Sequence, residues 1–150
     1  MHQLITLYQY GTRSLAEELE SRISNNQCFD ESEVWSILCS LVFGLAYLQR
    51  EKVGHGCISP TDIFLSQDGN VKIVDPSLAS YSPFSLHEGY YYSPEMIERF
   101  NQETETFHYG ESEIDIYKSD MFSLGMCLLH CCLLESCEDC YDFENCEIIP

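Results

Sequence analysis

Val34, Ile37, Leu38, Leu41, Val42, Leu45 and Leu48 recur at intervals of three and four residues, the spacing that lines one face of an α-helix. The pattern predicts a long helix from about Asp30 to Arg50. Upstream, Ser14-Leu15-Ala16-Glu17 is a capping box that opens a shorter helix to about Arg22, and Asn25-Asn26 marks a loop. Residues 3–8 read as a strand, with a turn at Gly11. After the long helix, Val53 to Pro60 is a loop. Ile63-Phe64-Leu65 and Val71-Lys72-Ile73-Val74 are two short strands joined by the turn Gln67-Asp68-Gly69-Asn70. Residues 76–92 form a loop rich in Ser and Tyr, and Ser93-Pro94-Glu95 opens a short helix. Residues 101–117 are acidic and read as an exposed insertion. An apolar helix runs from Ser119 to about Leu134. Residues 135–150 are an acidic, Cys-rich tail in which no element is predicted. With no internal repeat or boundary, residues 1–150 read as one domain.

Charge narrows the chemistry. The 150 residues carry 25 acidic side chains against seven Lys and Arg, a net charge of −18. Such a chain repels nucleic acid and anionic lipid, so neither is expected as a partner. The hydrophobic content of 45% is that of a chain with a core. The first residues lack the basic and apolar regions of a secretory signal, and the apolar stretches read as too short to span a bilayer. A reducing, cytoplasmic setting is therefore expected, with the nine cysteines mostly as free thiols.

Four motifs occur in a fixed order. His55-Gly56-Cys57-Ile58-Ser59-Pro60-Thr61-Asp62 is followed, twenty residues after His55, by Asp75-Pro76-Ser77. Ser93-Pro94-Glu95 comes next, then Ser119-Asp120-Met121-Phe122-Ser123-Leu124-Gly125. Together they resemble the catalytic loop, metal loop, end of the activation segment and anchor helix of a protein kinase. The resemblance covers about residues 3–134. It implies an α+β, protein-kinase-like fold: a mainly helical lower lobe with a small β-hairpin and the upper lobe largely absent. The Gly-rich loop, the phosphate-pairing Lys and its helical Glu partner are not in this chain.

The resemblance also shows which chemical groups are replaced. Cys57 stands at the catalytic Asp and Ser59 at the catalytic Lys. A thiol with an ordinary pKa of about 8.5 is a poor base near neutrality. Losing a general base typically costs about 10²–10⁴ in rate. Gly56 replaces the Arg that would dock a phosphorylated activation loop. Asp75 stands at the principal Mg²⁺ position and Asp62 replaces the Asn that is the second metal ligand; both are oxygen donors suited to Mg²⁺, or caps of a turn and a loop. Pro76 limits movement of the metal loop. By resemblance His55 packs in the hydrophobic spine, Asp120 accepts hydrogen bonds from the 55–57 backbone, and Glu95 lacks its usual Arg partner, since no Lys or Arg follows Lys118. No cofactor is expected of this chain alone; Mg²⁺ and ATP would require a supplied upper lobe.

Two clusters stand apart. Cys137-Glu138-Asp139-Cys140, with Cys131, Cys132 and Cys146, offers thiolates for Zn²⁺; alternatively Cys127 and Cys131 are core thiols. Tyr81, Tyr90, Tyr91 and Tyr92, with Ser80, Ser82 and Ser85, are either phosphorylation sites or packed residues of a polar loop. The expected function is a catalytically impaired, pseudokinase-like module that binds another protein. The alternative is a degenerate Ser/Thr-type kinase that holds Mg-ATP.

Overall fold

The computed structural model describes residues 13–66, 69–74, 90–102, 114–145 and 147–149. The predicted strand at 3–8, the turn at Gly11, most of the 76–92 loop and residues 103–113 lie outside them. Strand β1 (Arg13–Ser14) leads directly into helix α1 (Leu15–Asn25). The Ser14 hydroxyl accepts from the Glu17 N–H at 3.2 Å, and the Glu17 carboxylate accepts from the Ser14 N–H at 2.8 Å. The capping box thus satisfies two N–H groups that an open helix end would leave without partners. The helix runs three residues beyond the predicted Arg22 and ends on Asn26 in the left-handed region, φ 51°. Asn tolerates that conformation better than most residues.

Helix α2 (Glu31–Arg50) opens with a second capping box, formed by Asp30 and Glu33. Ile37, Leu41 and Leu45 are its buried face. Arg22 ties α1 to α2. Its Nε donates to Glu18 at 2.6 Å, its two terminal nitrogens to Glu33 at 2.6 and 2.8 Å, and one of them also to the Cys28 carbonyl at 3.0 Å. The guanidinium lies 3.9 Å from the centre of the Phe29 ring. A bidentate pair of this kind has more geometric specificity than a single contact between point charges.

Strands β2 (Ile63–Leu65) and β3 (Val71–Ile73) form the hairpin, with Phe64 opposite Lys72. Strand β1 adds to its other edge, giving an antiparallel sheet of order β1-β2-β3. Helix α3 (Pro94–Gln102) precedes α4 (Ile116–Leu133). Helix α4 begins three residues before the predicted Ser119, because Asp115 caps it by accepting from the Lys118 N–H. Residues 101–102 and 116–117 therefore belong to helices, not to an insertion. Helix α4 packs across α2, and Leu124, Cys127 and Cys131 join Leu15, Leu19, Ile37, Leu41 and Ile63 in one core.

The tail departs further from the sequence reading. A 3₁₀ turn at Glu138–Cys140 leads into strands β4 (Tyr141–Asp142) and β5 (Glu147–Ile148), which pair antiparallel. Cys137 and Tyr141 are buried, and the Tyr141 hydroxyl donates to the Tyr92 carbonyl at 3.0 Å. The two residues lie four apart and anchor an otherwise acidic segment. A second correction concerns α2, which contains an 18-residue window of mean hydropathy 1.3. By length and composition alone it is sufficient to cross a membrane. One of its sides, with Ile37, Leu41 and Leu45, is committed to the core.

Gly54 lies against Ile116 at the start of α4, where a Cβ would overlap the isoleucine side chain. Gly54→Ala is expected to cost about 1–3 kcal/mol of overpacking. Gly125, on the exposed side of α4, has open space around it. Gly125→Ala is expected to stabilise by about 0.5–1 kcal/mol through helix propensity. Urea unfolding of both variants checks the contrast.

Candidate functional site

The segment between α2 and β2 carries the substituted positions. Asp120, in the first turns of α4, is buried and faces this loop from 65 residues away in sequence. The His55 N–H donates to one Asp120 oxygen at 2.8 Å, and the Gly56 N–H donates to the other at 2.8 Å. His55 is also buried, and its Nε2 lies 3.1 Å from the Val74 carbonyl. One carboxylate and one imidazole thus tie the loop to α4 on one side and to the end of β3 on the other. Gly56 has φ 83°, in the left-handed region that favours glycine. Burial pushes the Asp120 carboxyl up from its ordinary pKa, while the Gly56 and His55 N–H groups pull it back.

The loop then turns through a 3₁₀ helix at Pro60–Asp62. Asp62 Oδ2 accepts from the Ser59 N–H at 3.0 Å and from the Ser59 hydroxyl at 2.8 Å. The Ser59 hydroxyl is also 2.6 Å from that of Thr61. Ser59 is buried and Cys57 half-buried. Ser59 and Asp62 are therefore brought together, but as a local cap. Burial raises the Asp62 carboxyl above its ordinary value, against the pull of the Ser59 bonds. The Asp62 carboxylate is thus held within the loop through its Oδ2. Among the described residues no three His, Cys, Asp or Glu side chains converge on a metal position. Asp75, its proposed companion, lies outside the described residues. Glu95, on the first turn of α3, is exposed.

The Zn²⁺ reading meets the same finding. Cys127, Cys131 and Cys137 are buried, and the Cys137 thiol contacts the Met126 carbonyl at 3.6 Å. Burial pushes the Cys131 thiol up to about 12 and the Cys137 thiol up to about 11. These are core thiols held protonated. Cys146 lies outside the described residues.

The sequence reading missed one residue pair. The Tyr91 hydroxyl lies 2.7 Å from His130 Nδ1, with the rings stacked at 13°. Burial raises the Tyr91 phenol and lowers the His130 imidazole from their ordinary values. Both groups are therefore neutral near neutral pH, and the His130 tautomer sets which of the two donates. The pair lines a cavity of about 290 Å³ that also touches Leu19, Ser59 and Pro60. A lone imidazole interrupting the apolar run of α4 was the available signal. Tyr91 is packed, Tyr90 stands 5.0 Å from it ring to ring, and Tyr81 lies outside the described residues.

Two outcomes follow from this geometry. Asp120→Asn replaces an acceptor oxygen with a donor and leaves a buried loop N–H unpaired. It should lower unfolding free energy by about 1–3 kcal/mol. Glu95→Gln, on an exposed surface, should stay within about 0.5 kcal/mol of wild type. For His130, the folded pKa is depressed, so the unfolded chain takes up a proton first as pH falls through about 6.5. The His130 contribution to stability is thus present at neutral pH and lost on acidification. Asp62 and Asp120, with raised folded values, act in the opposite direction. The comparison is therefore the stability difference between wild type and His130→Gln, which should narrow from about pH 7.5 to 5.5.

The comparisons with known proteins agree with this arrangement. The sequence pattern of the protein kinase domain matches residues 7–138. A probable serine/threonine-protein kinase, mkcF, of Dictyostelium discoideum is 30% identical over 116 residues, covering 74% of this chain and 15% of its own. Mitogen-activated protein kinase kinase 10 of Arabidopsis thaliana is 30% identical over 117 residues, covering 75% of this chain and 36% of its own. The eukaryotic translation initiation factor 2-alpha kinase gcn-2 of Caenorhabditis elegans is 37% identical over 68 residues, 45% of this chain and 4% of its own. The chain thus spans well under half the length of these relatives. With a matching domain pattern over most of its length and a loop held by Asp120 and His55, the chain belongs to the protein kinase family.

Proposed function

We propose that this domain is impaired in phosphotransfer and acts by binding another protein. The observation that carries the reading is the contrast within one loop. The backbone is tied in place by Asp120 and His55, while the positions that would supply a base and a cation are Cys57 and Ser59. Phosphoryl transfer depends on positioning and on neutralising developing charge. Ser59 brings no charge, and its hydroxyl is spent on Asp62 and Thr61. The cavity beside Tyr91 and His130 has mainly apolar walls and suits a side chain of a partner more than a phosphate. A net charge of −18 favours a partner with basic residues.

The test is thermal unfolding of the purified chain with Mg-ATP, with ATP plus EDTA, and with neither. Nucleotide bound at 100 times its Kd would add about 2.7 kcal/mol of stability. The proposal expects no shift. A shift that requires Mg²⁺ and disappears in Asp62→Ala, which removes the oxygen donor, would instead assign a metal–nucleotide site and return the reading to a degenerate kinase that uses Mg-ATP.

A further inference from the structure

The outer side of α2 carries no charged residue between its two ends. Trp35, Cys39, Val42, Phe43, Ala46 and Tyr47 are exposed along it. Trp35 is 55%, Phe43 76% and Tyr47 56% exposed. Surface apolar residues scattered singly are ordinary, but a contiguous stripe marks a contact surface. Trp35, Cys39, Val42, Ala46 and Gln49 succeed one another at intervals of four, three, four and three, the rhythm of a helix–helix seam. Cys39 and Ala46 keep the middle of the seam low, and Phe43 and Tyr47 flank it. The opposite side of α2, with Ile37, Leu41 and Leu45, is already committed to the core. The outer stripe is therefore not needed to fold the monomer.

The charges at its ends identify the occupant. Asp30 and Glu31 lie exposed at one end; at the other, Arg50, ion-paired with Glu51 at 3.2 Å, and Lys52 keep a net positive charge. Arg50 is 5.1 Å from the Tyr47 ring centre and so lies over the stripe. Glu31 accepts from the Trp35 indole N–H at 3.3 Å and borders the stripe likewise. A stripe that is acidic at one end and basic at the other is complementary to itself turned end for end. Self-complementarity is the requirement of a twofold interface. Antiparallel packing also aligns the two helix dipoles favourably.

We propose that two copies of this chain associate through α2, antiparallel, with the Glu31 end of each against the Arg50 end of the other. The half-exposed rings and the small residues between them offer roughly 400–500 Å² per copy. The total is close to the lower bound of about 1,000–1,200 Å² for a specific interface, so the dimer is weak and reversible. Two bodies of charge −18 repel one another, and salt screens that repulsion. Association therefore strengthens as salt is raised, opposite to a contact driven by surface ion pairs. In this register Cys39 sits near the twofold axis, its thiol roughly 5 Å along the helix from its counterpart.

Sedimentation equilibrium of the full chain over roughly 5–200 µM, the range for an interface of this size, is the test. The expected result is a monomer–dimer equilibrium that shifts toward dimer between low and high NaCl. Phe43→Lys and Trp35→Ser should each weaken it by at least tenfold without moving the unfolding midpoint, because both side chains are exposed. A short bismaleimide should link two chains through Cys39. The link should be lost in Cys39→Ser and kept in Cys28→Ser and Cys132→Ser. A chain that stays monomeric at every salt concentration overturns the proposal, as does a dimer indifferent to Phe43→Lys. A monomer that partitions onto neutral phosphatidylcholine vesicles through the same residues assigns the stripe to a lipid surface and overturns the second-copy reading.

Discussion

A single buried carboxylate organises this domain. Asp120 projects from the first turns of α4 and accepts the His55 and Gly56 N–H groups, one on each oxygen. Both donors belong to a loop that otherwise has no helix or strand to satisfy them. A buried N–H without a partner is costly, so the loop keeps this course as long as α4 keeps its own. The order of construction follows from that bond. Helix α4 needs the face of α2 to bury Leu124 and Cys127, and the loop needs α4. The hairpin after the loop is then anchored at its far end, where the Val74 carbonyl meets the His55 ring.

That dependence explains how the loop keeps its course with different side chains at its chemical positions. Its geometry is set by main-chain donors and by residues 55 and 120, none of which is a side chain at position 57 or 59. Cys57 and Ser59 stand at the positions of a base and a cation, while the Asp120 and His55 contacts tie the loop to α4 and to the end of β3. Ser59 even gains a local role: with Asp62 it closes the 3₁₀ turn at Pro60. A fold whose support is separate from its reactive groups can lose reactivity without losing shape.

Much of this was legible in the sequence, and the misses have physical causes. Both capping boxes are strong local signals, because a Ser or Asp followed by Glu at the third position satisfies N–H groups within four residues. Asp120 was legible because its motif fixes a contact across 65 residues that no periodicity would reveal. The start of α4 was misplaced because Asp115 is a cap without a partner Glu three residues on, within an acidic run that masked it. The tail was misread because its net charge hid two anchors, Cys137 and Tyr141, whose burial depends on contacts far along the chain. Asp62 pointed to a metal by its position in the motif. In the structure its Oδ2 also accepts from the Ser59 hydroxyl, three residues away.

The bond from Tyr141 to the Tyr92 carbonyl joins the end of the chain to the residues that lead into α3. Tyr91, next to it, is in turn held to α4 by His130. The final hairpin is thus fastened to the segment that leads into α3. Moving Tyr92 would break the Tyr141 bond and loosen a segment in which Cys137 is also buried. Reactivity of that thiol would then report the seating of residues 91 and 92, which two hydrogen bonds fasten to α4 and to the tail.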